Sequence, residues 1–146
     1  MTKLIPSDEN FTRILLETRS ISMVGASLKP ERASNSVGLY MADAGYRVIP
    51  VNPSCVGERL FGEIVRADLS DIKSPVDLLS VFRRSEQVLP HVEEAISDLL
   101  GLKTFWMQLG ISNAAARERA EQVGLQVIEN RCIRTEHRRL IAGKST

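Results

Sequence analysis

Short apolar runs alternate with amphipathic helical stretches along almost the whole chain, and no other feature of the sequence restricts the fold as much. Ser20 to Gly25 (SISMVG), Tyr46 to Val51 (YRVIPV), Val76 to Phe82 (VDLLSVF), Thr104 to Gln108 (TFWMQ) and Leu125 to Glu129 (LQVIE) are too short for helices and are rich in strand-forming residues. Between them lie helical patterns. Ser7, Asp8 and Glu9 provide a cap and an acidic first turn for Phe11, Ile14, Leu15 and Thr18. Ser34 to Ser36 offer an N-cap for Val37, Tyr40, Met41 and Ala44, and Gly45 stops that helix. Ser85 is expected to cap a segment whose helix proper starts near Pro90, and Ser112 to Val123 form an Ala-rich helix ended by Gly124. Arg59 to Val65 reads as a brief edge strand and Asp68 to Ile72 as a helical turn. Alternation of this kind implies parallel strands joined by right-handed crossovers, an α/β sheet with helices on both faces.

Composition narrows the partners. A chain of 146 residues with 43% hydrophobic content buries roughly 70% of its unfolded surface, so its core needs neither disulfides nor metal. With 19 Lys plus Arg against 18 Asp plus Glu, bulk attraction to nucleic acid or anionic membrane is excluded, and any anion site must be local. The start, MTKLIPSDENF, lacks a secretory apolar run, and no stretch approaches the ~20 apolar residues of a membrane span. The chain reads as cytosolic, which makes Cys55 and Cys132 reduced thiols.

In an open parallel sheet, ligands bind beyond the carboxyl ends of the strands, near the point where strand order reverses. Those ends read Gly25-Ala26-Ser27, Val51-Asn52-Pro53, Val81-Phe82-Arg83, Gln108-Leu109-Gly110 and Asn130-Arg131-Cys132, with no Asp or Glu just past the strand. A dinucleotide fingerprint needs GxGxxG and an acid on the ribose about 20 residues later. Only Gly25 matches; Ser27 and Pro30 replace the other glycines, and Asn52 stands where the acid belongs. NAD is therefore disfavoured. The first loop offers instead Ser27, Lys29, Arg32, Ser34 and Ser36 around a helix amino end, a setting for phosphate. Solvated loop charges and a plain N-cap serine are the competing account of the same residues.

The succession IleSerMetValGlyAlaSer, LysProGluArg, GlyTyrArgValIleProValAsnPro, ValAspLeu with ValPheArgArg, TrpMetGlnLeuGlyIle and AsnArgCysIle with GluHis resembles the small single-domain CoA-binding proteins, over roughly Phe11 to Leu140. These are similar to the CoA-binding domain of the succinyl-CoA synthetase α-subunit and of ADP-forming acyl-CoA synthetases. The resemblance implies a Rossmann-like three-layer sandwich, a mostly parallel sheet of five to six strands in one domain spanning residues 1–146, with coenzyme A or an acyl-CoA along its carboxyl edge. It implies that Gly25, Ala26 and Ser27, with Arg32 and Ser34 beside them, meet a phosphate of the nucleotide. It places the adenosine near Val51, Asn52 and Pro53, and the pantetheine arm along Val81, Phe82, Arg83, Gln108, Leu109 and Gly110. Asn130, Arg131 and Cys132 would lie nearest the thiol. A 3′-phosphate on the ribose also makes a neutral Asn52 near Lys29 or Arg32 chemically sensible.

Catalysis is not expected. The synthetases use a histidine outside the matched region, and neither His91 nor His137 corresponds to it; both read as solvated or partner-contacting. Cys132, flanked by Arg131 and Arg134, is the one candidate nucleophile, but His137 five residues on is more than a helical turn away. A mixed disulfide of Cys132 with CoA, a small NAD- or nucleotide-dependent enzyme, and a synthetase subunit completed by another chain remain the alternatives. No metal-ligand spacing is present. The basic end segment from Arg131 to Lys144 is left to pack on the sheet, fold over its carboxyl edge or meet a protein partner, and residues from Ala142 onward read as a loose tail.

Overall fold

Parallel strands buried on both faces look uniformly apolar in sequence, because odd and even residues face two different cores. The structure, a computed structural model, describes residues 6–144. Its central sheet runs β2 (Arg47–Val51), β1 (Ser20–Val24), β5 (Leu78–Val81), β6 (Thr104–Met107), β7 (Gln126–Ile128), with every neighbouring pair parallel. Val24, Ile49, Leu79, Val81, Phe105, Met107 and Val127 point to one face and pack under α3 (Val88–Asp98) and α4 (Ala114–Gln122). Ile21, Met23, Val48, Leu78, Trp106 and Ile128 point to the other, under α1 (Asp8–Glu17), α2 (Ala33–Asp43) and α5 (Ile133–Leu140). The Rossmann-like three-layer architecture is thus present, with five strands.

Local chemistry accounts for most boundaries. Ser7 caps α1 by accepting from the Asn10 N–H at 3.1 Å, and Phe11, Ile14 and Leu15 form its buried face. Pro50 is tolerated because β2 is an edge strand: the Pro50 carbonyl accepts from the Arg66 N–H on the outer side, where the missing donor would also have faced. Other boundaries differ from the sequence expectation. Arg32, not a serine, occupies the N-cap of α2, and Ser34 is buried inside its first turn. Helix α3 begins at Val88, with Pro90 in the first turn where no donor is needed. Ser85 does not cap it; its hydroxyl accepts from the Ser112 N–H and its carbonyl from the Asn113 amide, tying two loops together.

Arg59 to Val65 is not one edge strand but a hairpin, β3 (Arg59–Leu60) and β4 (Glu63–Ile64). Its turn residues Phe61 and Gly62 both have positive φ, 58° and 78°. Phenylalanine is a poor residue for that conformation. It is held there because its ring lies flat against Gly38 of α2, where any Cβ would overlap the ring. The hairpin is joined to β2 by Arg47, which donates to Glu63 at 3.0 and 3.2 Å.

His137, expected on the surface, is buried on α5. The Tyr40 hydroxyl and His137 Nδ1 are 2.9 Å apart, and the imidazole meets the rings of Tyr40 and Tyr46 edge-on at 5.4 and 5.7 Å. The end segment therefore packs on α1 and α2 rather than over the carboxyl edge, with Arg139 bound to Asp8 and Glu136.

Burial holds the His137 pKa below its ordinary value. The unfolded chain then takes up a proton that the folded chain refuses, so stability is lost as pH falls through the ordinary histidine range near ~6.5. Half-buried His91 acts in the same direction. Urea unfolding between pH 7.5 and pH 5 should show this loss, and H137Q should flatten the slope; an unchanged slope counts against the assignment.

Candidate functional site

Strand order decides where a site can form. The chain passes from β1 outward to β2 and then crosses back to β5 on the other side of β1, so connections diverge at the carboxyl ends of β1 and β5. Gly25 sits at this divergence with φ +85°, and a Cβ there would overlap the carbonyl oxygen of Phe82. The Phe82 N–H donates to the Val24 carbonyl at 2.8 Å, and the Gly25 N–H to the Val51 carbonyl at 3.0 Å. Glycine is required here for passage of the chain against β5, a demand that exists before any ligand is considered.

A cavity of about 620 Å³ opens over this point. Of the residues singled out in the sequence, Gly25, Ser27, Lys29, Arg32, Ser34, Asn52, Phe82 and Arg83 line it. Its lining carries four cations, Lys29, Arg32, Arg83 and Arg84, and no carboxylate. None of these cations forms an ion pair among the described residues, whereas Arg47, Arg117 and Arg139 elsewhere all do. Ser34 is 5% exposed, borders the cavity, and its hydroxyl has no hydrogen-bond partner among the described residues. The N–H groups of Ala33 and Ser34, in the first turn of α2, make no backbone bond among the described residues, so the positive end of the helix dipole adds to the cations. Cys55 also borders the cavity; burial, then the charge of Glu58, pushes its thiol pKa up, keeping it protonated at neutral pH.

The remaining residues lie elsewhere. Ala26, Val51 and Val81 are buried, and Val51 and Pro53 border a cavity on the α3 side that shares Arg83 but also holds Asp68, Glu86, His91 and Glu94. There burial, then Asp68 and Asp98, raises the Glu94 pKa, while burial, then Arg83, lowers that of His91. Gln108 is 1% exposed, with its side-chain amide donating to the Ser80 hydroxyl and accepting from the Ile133 N–H, both at 3.0 Å. Leu109, Asn130, Arg131 and Cys132 border a separate cavity together with Glu129 and Glu136. Gly110 donates its N–H to Asn130 Oδ1 at 2.7 Å, which holds the loops after β6 and β7 together. Because β7 ends at Ile128, Glu129 is the first residue beyond it, so the acid-free edge expected from sequence holds at the first cavity and not at this one. Cys55, read from the sequence only as a reduced thiol, and Arg84, the last residue of the ValPheArgArg motif, also line the cavity. Ile111 reaches the cavity from the loop after β6 with no signal in the sequence.

The sequence pattern of the CoA binding domain matches residues 19–138. The chain belongs to the CoA binding domain family. An uncharacterized protein of Bacillus subtilis, YneT, is 38% identical over 132 residues, 90% of this chain and 95% of that one. A solved structure from Thermus thermophilus, 36% identical, superposes with a TM-score of 0.88 over 93% of this chain and all of its own. An acetyl-coenzyme A synthetase of Ca. Korarchaeum cryptofilum, solved with phosphate and ADP, shares the fold at 24% identity and a TM-score of 0.61, over 76% of this chain and 25% of that one.

Among the described residues the wall of the first cavity thus offers unpaired cations, the unpartnered hydroxyl of Ser34 and no acid. Crowding like charges without partners does not help folding. R84A should therefore leave the melting temperature within about 2 °C of the parent or raise it, and a fall of roughly 5 °C or more would show that Arg84 has a structural partner.

Proposed function

We propose that this protein binds coenzyme A or an acyl-CoA at the carboxyl edge of its sheet and does no bond-making of its own. The cavity at the β1/β5 divergence carries the proposal, because it gathers Lys29, Arg32, Arg83 and Arg84 around a helix amino terminus without one carboxylate. In this reading Arg32, Ser34 and the first turn of α2 hold phosphate, and Arg83 and Arg84 neutralise charge from the opposite rim. Phe82 and Leu28 supply apolar contact beside them. When bound, coenzyme A supplies a thiol that carries acyl groups; the protein's part is to hold the nucleotide end.

Two observations support a binder over an enzyme. His137 is occupied with Tyr40 on the far side of α2, and His91 borders the α3-side cavity instead. The thiol that does border the cation-lined cavity, Cys55, is held protonated by burial, the opposite of what a nucleophile needs.

Calorimetric titration with CoA, dephospho-CoA and NAD tests the reading. CoA should bind more tightly than dephospho-CoA, and NAD more weakly than either. R32A and R83A should each weaken CoA binding roughly tenfold. Tight NAD binding, or no CoA binding by the intact chain, overturns the proposal.

A further inference from the structure

Asn35 and Asn52 both grip the backbone of the cavity's first loop from other elements, while within the loop the Ser27 hydroxyl accepts from the Lys29 N–H at 3.1 Å. Asn52 Nδ2 donates to the Ala26 carbonyl at 2.8 Å, while its Oδ1 accepts from the Ser54 N–H at 2.9 Å. Only the oxygen can accept from that N–H, so the amide has one orientation. Asn35, 6% exposed in the first turn of α2, donates from Nδ2 to the Ser27 carbonyl, also at 2.8 Å. Two consecutive peptide carbonyls are thereby fixed from opposite elements, the end of β2 and the start of α2.

In a trans peptide the C=O and N–H point in opposite directions. Holding the Ala26 carbonyl therefore turns the Ser27 N–H away from Asn52, and holding the Ser27 carbonyl turns the Leu28 N–H away from Asn35. Ser27 and Leu28 border the cavity, and neither N–H has an acceptor among the described residues. Free backbone N–H groups beside a cation-lined cavity are donors that an anion can use. The unpartnered Ser34 hydroxyl, 5% exposed, borders the same cavity and marks it independently as a place for an acceptor that the protein does not supply.

We propose that Asn35 and Asn52 are positioning residues that preset the 26–28 backbone to receive a phosphoanhydride through the N–H groups of Ser27 and Leu28. The inference rests on the reading of the cavity as a coenzyme A site and deepens it. Asn52, which the sequence places beside the adenosine, also acts through the loop, with one amide N–H given to Ala26 and its oxygen to Ser54.

The test follows the backbone amides of Ser27 and Leu28 by ¹H–¹⁵N NMR in the full chain, titrated separately with CoA and with inorganic pyrophosphate. Affinities of N35L and N52L, which keep size and add no charge, are measured alongside. Both ligands should move both amide protons downfield, and each variant should lose roughly tenfold or more in affinity for both. CoA binding without those shifts, or folded variants with parental affinity, overturns the clamp and leaves the CoA reading standing. Pyrophosphate shifting the amides while CoA fails to bind supports the clamp and overturns the CoA reading. Binding of neither ligand overturns both. Should a variant fail to fold, the amide shifts of the parent chain decide the matter.

Discussion

The passage of Gly25 beneath the Phe82 carbonyl is the contact on which the rest of this molecule turns. At that point β1 and β5 lie side by side and their connections part, one toward α2 and the other toward α3. A side chain at Gly25 would push the two strand ends apart, and with them the loop that begins at Ala26 and the arginines that follow Phe82. The cavity exists because the backbones come this close and then diverge. Its floor is set by hydrogen bonds from Phe82 to Val24 and from Gly25 to Val51, which continue the ladder to the last residue before the chain leaves the sheet.

Charge is arranged around that opening in a way that overall composition conceals. The formal net charge is +1, yet carboxylates are drawn to other places: Glu63 to Arg47 at the hairpin, Glu129 to Arg117, Glu136 and Asp8 to Arg139. The acids near the sheet edge gather on the α3 side and around Cys132, leaving the first cavity positive. Such a surface gains little stability from its charges. Stability comes from elsewhere, from two apolar layers that enclose the sheet and from hydrogen-bonded buried polar groups such as Gln108.

Much of the fold could be read along the chain because parallel strands buried on both sides leave an unbroken apolar signature, and the helices between them keep their periodicity. What could not be read depended on distant partners. Phe61 adopts a left-handed conformation because Gly38, on another element, receives its ring; no local rule puts phenylalanine in a turn. His137 carries the same charge potential as any surface histidine until Tyr40 and Tyr46 close over it. Ser34 looked like a cap because serines often cap helices, but Arg32 provides the extended backbone at that position. At the candidate site, the glycine turn and its neighbouring cations were legible because they are adjacent residues in the sequence. The separation of Leu109, Asn130, Arg131 and Cys132 into another cavity was not, since residues at strand ends share an edge without sharing a wall.

The sequence by itself determined the alternation of strands and helices, the burial of both sheet faces, the presence of a glycine turn after β1 and the absence of a ribose-binding acid after β2. Periodicity, glycine and residue charge are properties of neighbours along the chain, so one dimension suffices to show them. Tertiary structure alone decided which strand ends meet, which cations remain unpaired, and that Asn35 and Asn52 reach back to the first loop from two different elements. The physical reason is that hydrogen bonds and ion pairs are satisfied by proximity in space, and the order β2-β1-β5 brings together groups that lie many residues apart along the chain.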